Sequence, residues 1–133
     1  MTRPHDTTNL ARSFSAILIV SKDPKRLADF YLDALGVPLA DEQHGDTDLH
    51  YGCELAGVHF AIHPQSNFEQ VGEPGTGAVN LAFNIGDADA LVRSIESAGH
   101  KVEYAPRDLG WCIMTAARDP DGNYIEFTQF DRP

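Results

Sequence analysis

Cysteine is scarce in this chain: Cys53 and Cys112 are the only two in 133 residues, and they do not form a CxxC pair. That is too few for a disulfide scaffold, and both read as buried thiols. Basic residues are also few, 10 against 20 acidic ones, for a net charge of −10. Nucleic-acid binding depends on basic side chains that displace counterions from phosphates, so no nucleic-acid partner is expected. The same negative field suits a small, cationic ligand. No apolar run is long enough to span a bilayer, so no membrane partner is expected either. Residues 1–12 open without the apolar stretch of a secretory signal and read as a mobile leader on a cytoplasmic protein. A phosphate-binding glycine loop and a Ser–His–Asp order are both missing, which leaves those chemistries without support.

What is present is a pattern that occurs twice. Residues 13–20 form a β-branched run that predicts a strand. Asp23-Pro24 then predicts a helix N-terminus, because an aspartate can cap it and proline suits the first turn. Leu27, Phe30, Tyr31, Ala34 and Leu35 follow at helical spacing, and Gly36 is placed to stop the helix. A short strand is expected within 37–42, a turn at His44-Gly45-Asp46, and a hairpin from Leu49 to His63 around Ala56-Gly57. Residues 64–77 carry two prolines and three glycines without periodicity, and read as a linker or lid. The order then restarts: strand 78–85, a helix opened by Asp87 and closed by Gly99, and strands at 101–105, 111–117 and 123–130.

Each half is therefore a βαβββ unit, module one at 13–63 and module two at 78–133, together making one α+β domain. A single helix covers one face of a four-stranded sheet, so the second face must meet something else. Two curved mixed sheets of this kind are expected to enclose a cleft.

Module two closes on Arg118-Asp119-Pro120-Asp121-Gly122-Asn123-Tyr124-Ile125-Glu126. Asp-Pro-Asp-Gly is a tight-turn sequence, and the following alternation puts Glu126 in mid-strand, where a carboxylate must find water, a partner or a metal. With Asp23-Pro24, Phe30-Tyr31 and Leu35-Gly36 in module one, this ending resembles the vicinal oxygen chelate superfamily. That superfamily includes glyoxalase I, bleomycin-resistance proteins and extradiol dioxygenases, and the resemblance extends over residues 13–130. It implies the glyoxalase/bleomycin-resistance fold and a homodimer. It also implies, for metal-using members, four ligands on the first and last strands of the two modules.

Carried onto this chain, those four positions are Ser15, Ala61, Asn80 and Glu126. A well-built zinc site contributes roughly 10–16 kcal/mol, and every ligand must be a good donor. Alanine donates nothing, serine and asparagine are poor neutral ligands for transition metals, and one carboxylate does not hold an ion. No metal or other cofactor is therefore expected there, and site chemistry points to the bleomycin-resistance-like branch.

Strand alternation predicts a cleft lined by Ser15, Ile17, Ile19, His59, Ala61, His63, Asn80, Ala82, Asn84, Tyr124, Glu126 and Thr128. Trp111 and Phe68 are candidate aromatic walls. The expected function is binding of a small organic, cationic ligand in a metal-free cleft. The alternative is an enzyme of lyase, isomerase or dioxygenase type. It would use Glu126 as general base with His59 or His63, or one divalent metal at a relocated site pairing His59 or His63 with His50 or Glu126. His59 and His63 lie roughly 13 Å apart along a strand, too far to share one ion.

Overall fold

The computed structural model describes residues 10, 12–45, 47–69, 72–73 and 80–130. Module one consists of β1 (Ala16–Ser21), α1 (Pro24–Asp33), β2 (Ala40–Glu42), β3 (His50–Leu55) and β4 (Val58–Pro64). Module two consists of β5 (Leu81–Asn84), α2 (Ala88–Ser97), β6 (Val102–Asp108), β7 (Ile113–Arg118) and β8 (Tyr124–Gln129). Two four-stranded mixed sheets result, ordered β1-β4-β3-β2 and β5-β8-β7-β6. In each, the first strand runs parallel to the last and the remaining pairs are antiparallel. This is the tandem βαβββ arrangement, with neither sheet closed into a barrel. Among the described residues no helix is long and apolar enough to cross a membrane.

The local signals act as their chemistry requires. Asp23 Oδ1 accepts from the Arg26 amide at 3.2 Å, and Asp87 Oδ1 accepts from the Ala90 amide at 3.1 Å, so each helix begins on an aspartate cap. Both helices end alike: Val37 N donates to Tyr31 O at 2.9 Å, and His100 N donates to Ile95 O at 3.1 Å. Each of these bonds spans a glycine of positive φ, Gly36 at 72° and Gly99 at 88°, the left-handed step that turns the chain out of a helix. At the β3–β4 hairpin, Ala56 (φ 50°) and Gly57 (φ 85°) both take left-handed backbone, which a two-residue turn needs to match strand twist. The segment after β4 is less formless than its composition suggests, because Gln65–Asn67 make a single 3-10 turn. Most of the leader, Asp46, positions 70–71 and 74–77 of the expected linker, positions 78–79 of the expected strand and residues 131–133 lie outside the described residues.

The two modules share one core. Leu27, Phe30 and Tyr31 of α1, Phe60 and Ile62 of β4, Ile95 of α2, and Ile125 and Phe127 of β8 are buried in a single cluster. Phe83 of β5 lies 6.2 Å from Phe60 and 6.4 Å from Tyr31, ring centre to ring centre, so aromatic packing crosses between the halves. Ser94 of α2 donates to the Ala34 carbonyl at the end of α1, at 2.7 Å. The Tyr31 hydroxyl donates to Asp119 Oδ2 at 2.8 Å, and both residues are buried. Asp119 is otherwise saturated, its carboxylate accepting from the Asp121 and Asn123 amides and from Asn123 Nδ2, at 2.9–3.0 Å. Phe30-Tyr31 and Asp119-Pro-Asp-Gly, the two most recognisable motifs of the chain, are thus parts of one joint.

The register corrects one face assignment. β1 pairs with β4 so that Ile17 lies beside Phe60, Ile19 beside Ile62, Ala16 beside His59 and Leu18 beside Ala61. Neighbouring partners share a face, so Ile17 and Ile19 belong with the core side, and Ala16, Leu18 and Val20 with the open face. The expected lining by Ser15, Ile17 and Ile19 is one residue out of phase. The cause is that Ala82, the partner of Glu126, lies five positions before Asp87, just as Leu18, the partner of Ala61, lies five positions before Asp23; no extra residue is needed in module one.

Candidate functional site

Each sheet has a face turned away from the helices. In module two, Asn80, Ala82 and Asn84 stand there beside Tyr124, Glu126 and Thr128, by the β5–β8 register. Asn80, Ala82 and Asn84 are exposed, while Tyr124 and Glu126 are half-buried and Thr128 is buried. The partner of Glu126 is Asn80, whose Nδ2 donates to Oε1 at 2.9 Å. Arg118 lies over the Tyr124 ring at 5.3 Å. Burial first, then the Tyr124 phenol, raises the Tyr104 hydroxyl of β6 above its ordinary range. Trp111, in the turn between β6 and β7, is 63% exposed and 5.8 Å from the Phe130 ring.

By register, the positions matched to the superfamily's ligand set are Ala16, Ala61, Asn80 and Glu126. The module-one counterpart of Asn80 is Ala16 rather than Ser15; Ser15 precedes β1, and its carbonyl accepts from the His59 amide at 3.1 Å. Ala61 is fully buried between Leu18 and Gly52. Two alanines, an amide and one carboxylate do not make a transition-metal site, and the amide already presents its N–H to that carboxylate. The set does not fit a metal.

The open face of module one holds something the sequence pattern did not bring together. Glu42, at the end of β2, extends its carboxylate into a group of imidazoles. Its Oε1 lies 3.2 Å from His50 Nε2, 3.4 Å from His59 Nε2 and 3.7 Å from His44 Nε2. His50 is stacked on His63, with ring centres 3.9 Å apart, and Phe68 meets His63 edge-on at 4.8 Å. Burial first, then the neighbouring His50, pushes the His63 imidazole down to about 4, so it is neutral near pH 7. Gly52 makes room for the group: a Cβ there would collide with the Glu42 carboxylate.

Sequence reasoning named His50, His59 and His63 but missed Glu42 and His44. The available signal was Glu42-x-His44 ahead of His50, across an expected turn. His59 lies against Glu42 and His63 against His50, while Glu126 accepts from Asn80. Cys53, on the neighbouring β3 position, packs against the core, and burial raises its thiol. Two crevices on the helix side, of about 300 and 160 Å³, are lined around Arg26, Phe30 and His100 and around Val37, Phe83 and Phe127.

A tandem βαβββ fold of this register, closed by the Asp119 turn, defines the class, and comparison with known proteins agrees. Residues 13–127 match the profile of the Glyoxalase/Bleomycin resistance protein/Dioxygenase superfamily, and the chain belongs to it. Among solved structures it is similar to TioX from Micromonospora sp. ML1, with 20% identity, 90% of this chain and 99% of that one covered, and a TM-score of 0.71. It is similar to TnmS3, an antibiotic binding protein from Streptomyces sp. CB03234, with 22% identity, coverages of 90% and 96%, and a TM-score of 0.70. A superfamily member from Sphaerobacter thermophilus DSM 20745 shares 21% identity over 88% of this chain and 96% of its own, with a TM-score of 0.71. At these identities the likeness establishes the fold alone. Among curated proteins none matches.

Proposed function

We propose that this protein binds a small organic, cationic molecule on the open sheet faces, without a metal at the superfamily's four ligand positions. The observation that carries this reading is the content of those positions: Ala16, Ala61, Asn80 and Glu126, with the one carboxylate already engaged by an amide. Support also comes from the net charge of −10 and from the aromatic surface of Trp111 and Phe130 beside module two. TnmS3, a structural neighbour, is described as antibiotic binding. A homodimer fits the same reading. Leu18, Ala82 and Asn84 stand exposed on the open faces, where a second copy would turn each sheet into one wall of a closed cup.

The test is a thermal-shift and calorimetric panel of cationic and planar aromatic antibiotics, bleomycin included, on wild type and Glu126→Gln. Stabilisation by a bound ligand follows mass action. A binder is expected to be stabilised by at least one cationic compound, and Glu126→Gln to keep binding with reduced affinity. Turnover of a bound compound that disappears in Glu126→Gln would instead make Glu126 a general base. Absence of any stabilising compound, together with a monomer in sedimentation, would remove the reading.

A further inference from the structure

Glu42 and His50 are direct cross-strand partners in the β2–β3 ladder, and His44 follows two residues after Glu42. One ligand-capable atom from each of Glu42, His44 and His50 falls within 4.8 Å of the other two. His59, on β4, adds its Nε2 at 3.4 Å from Glu42 Oε1. This oxygen is buried, and yet none of the three ring nitrogens around it completes a hydrogen bond with it. An acceptor surrounded by nitrogens but bonded by none is costly unless something positive sits among them.

The surrounding bonds fix the chemistry of those nitrogens. His50 Nδ1 lies 3.3 Å from the Asp48 carbonyl, a contact in which the ring nitrogen must donate. In a neutral imidazole that leaves Nε2 bare and aimed at the Glu42 carboxylate. Asp48 is itself held: Asn67 Oδ1 accepts from its amide at 2.9 Å, and Asn67 Nδ2 donates to its carbonyl at 3.0 Å. Asn67 Nδ2 also reaches His63 Nδ1 at 3.0 Å, behind the His50 ring. A histidine whose far nitrogen is anchored to a carbonyl, itself anchored by an amide, is the arrangement that orients a metal-binding imidazole.

Distances agree with this. In a tetrahedral site with bonds near 2.0–2.1 Å, ligand atoms sit about 3.3 Å from one another. The Glu42 oxygen lies 3.2 Å from His50 and 3.7 Å from the exposed, more adjustable His44, and the three ligand atoms all fall within 4.8 Å of one another.

We propose that Glu42, His44 and His50 form a three-ligand binding site for a divalent transition-metal ion of the zinc type, with the His59 imidazole beside it. Imidazole and carboxylate donors without thiolate select zinc, cobalt or nickel over calcium and magnesium, which prefer all-oxygen shells. The site lies within module one, on β2, the turn after it and β3, apart from the first-and-last-strand positions of the superfamily. It stands independently of ligand binding at Glu126.

Tag-free protein stripped with chelator and titrated with zinc chloride by calorimetry is the test, with cobalt(II) absorption reporting the geometry. One zinc per chain is expected, with tetrahedral cobalt bands. Glu42→Gln and His44→Ala should each weaken zinc binding at least about tenfold, while Glu126→Gln leaves it unchanged. Because His50 is buried, Gly52→Ala serves as a second probe: it displaces only the end of the Glu42 side chain, so it should fold normally and bind zinc weakly. The proposal is overturned if stripped wild type takes up no stoichiometric zinc. It is equally overturned if folded Glu42→Gln and Gly52→Ala bind as wild type, or if Glu126→Gln is the variant that abolishes binding.

Discussion

Tyr31→Phe removes one oxygen from the joint between the halves, and its cost can be worked out from the bonds around Asp119. The hydroxyl donates to Asp119 Oδ2 at 2.8 Å in a buried setting, while three other donors remain on that carboxylate. A hydrogen bond to a charged group contributes about 1.5–3 kcal/mol, and the remaining donors argue for about 2. With an unfolding entropy of about 2.1 cal/mol/K per residue, 133 residues give about 0.28 kcal/mol/K, so the melting temperature should fall by about 7 °C. Asp119→Ala strands the Tyr31 hydroxyl and two backbone amides, and should cost at least about 3 kcal/mol. In the double variant the two losses should fall short of their sum by about 1–2 kcal/mol.

A pH arm sharpens the test. Burial, then the Asp119 charge, raises the Tyr31 phenol far above its ordinary 10.0. Below pH 10 both folded and unfolded chains keep the proton; above it only the unfolded chain releases it. Wild type therefore loses up to about 1.4 kcal/mol per pH unit above 10 from this group, and Tyr31→Phe does not. Urea unfolding followed by circular dichroism at pH 8, 9, 10 and 11 should show the stability gap between the two narrowing at the alkaline end. A gap that stays constant, or additive single losses, would refute the claim that this bond ties the modules together.

Ala56→Gly relieves a left-handed φ of 50° that a side chain adopts only with strain, and should raise stability by about 0.5–1 kcal/mol in the same unfolding assay. Ser94→Ala breaks the 2.7 Å bond to the Ala34 carbonyl between the two helices and should cost about 1 kcal/mol in chemical denaturation. Phe127→Ala opens the fully buried core where both sheets meet, and a loss of about 3–5 kcal/mol is expected in scanning calorimetry.

Elements governed by neighbours in sequence were legible in it. The aspartate caps, the glycines that end each helix, the Ala56-Gly57 turn and the repetition of the order all depend on bonds spanning a few residues. Phase was harder: shifting β1 by one residue moves its whole side-chain set to the other face. Burial gave no warning there, because β1 is an edge strand and Ile17 and Leu18 are both exposed. The imidazole group was missed for another reason. Glu42 meets His50 through pairing of β2 with β3, and His59 through the strand beyond, and no periodicity within any one segment encodes which strands become neighbours. The absence of a side chain at Gly52 is what admits Glu42.

The placement of the family motifs has a consequence for redesign. Since Tyr31 and the Asp119 turn clasp one another behind the sheets, the residues that advertise ancestry are occupied with holding the halves together. The outward surfaces can therefore change their cargo without loosening the hinge pin. Grafting new side chains onto Leu18, Ala82 or Asn84 should leave that fastening intact, whereas a swap of one whole half between relatives would have to carry a matching clasp.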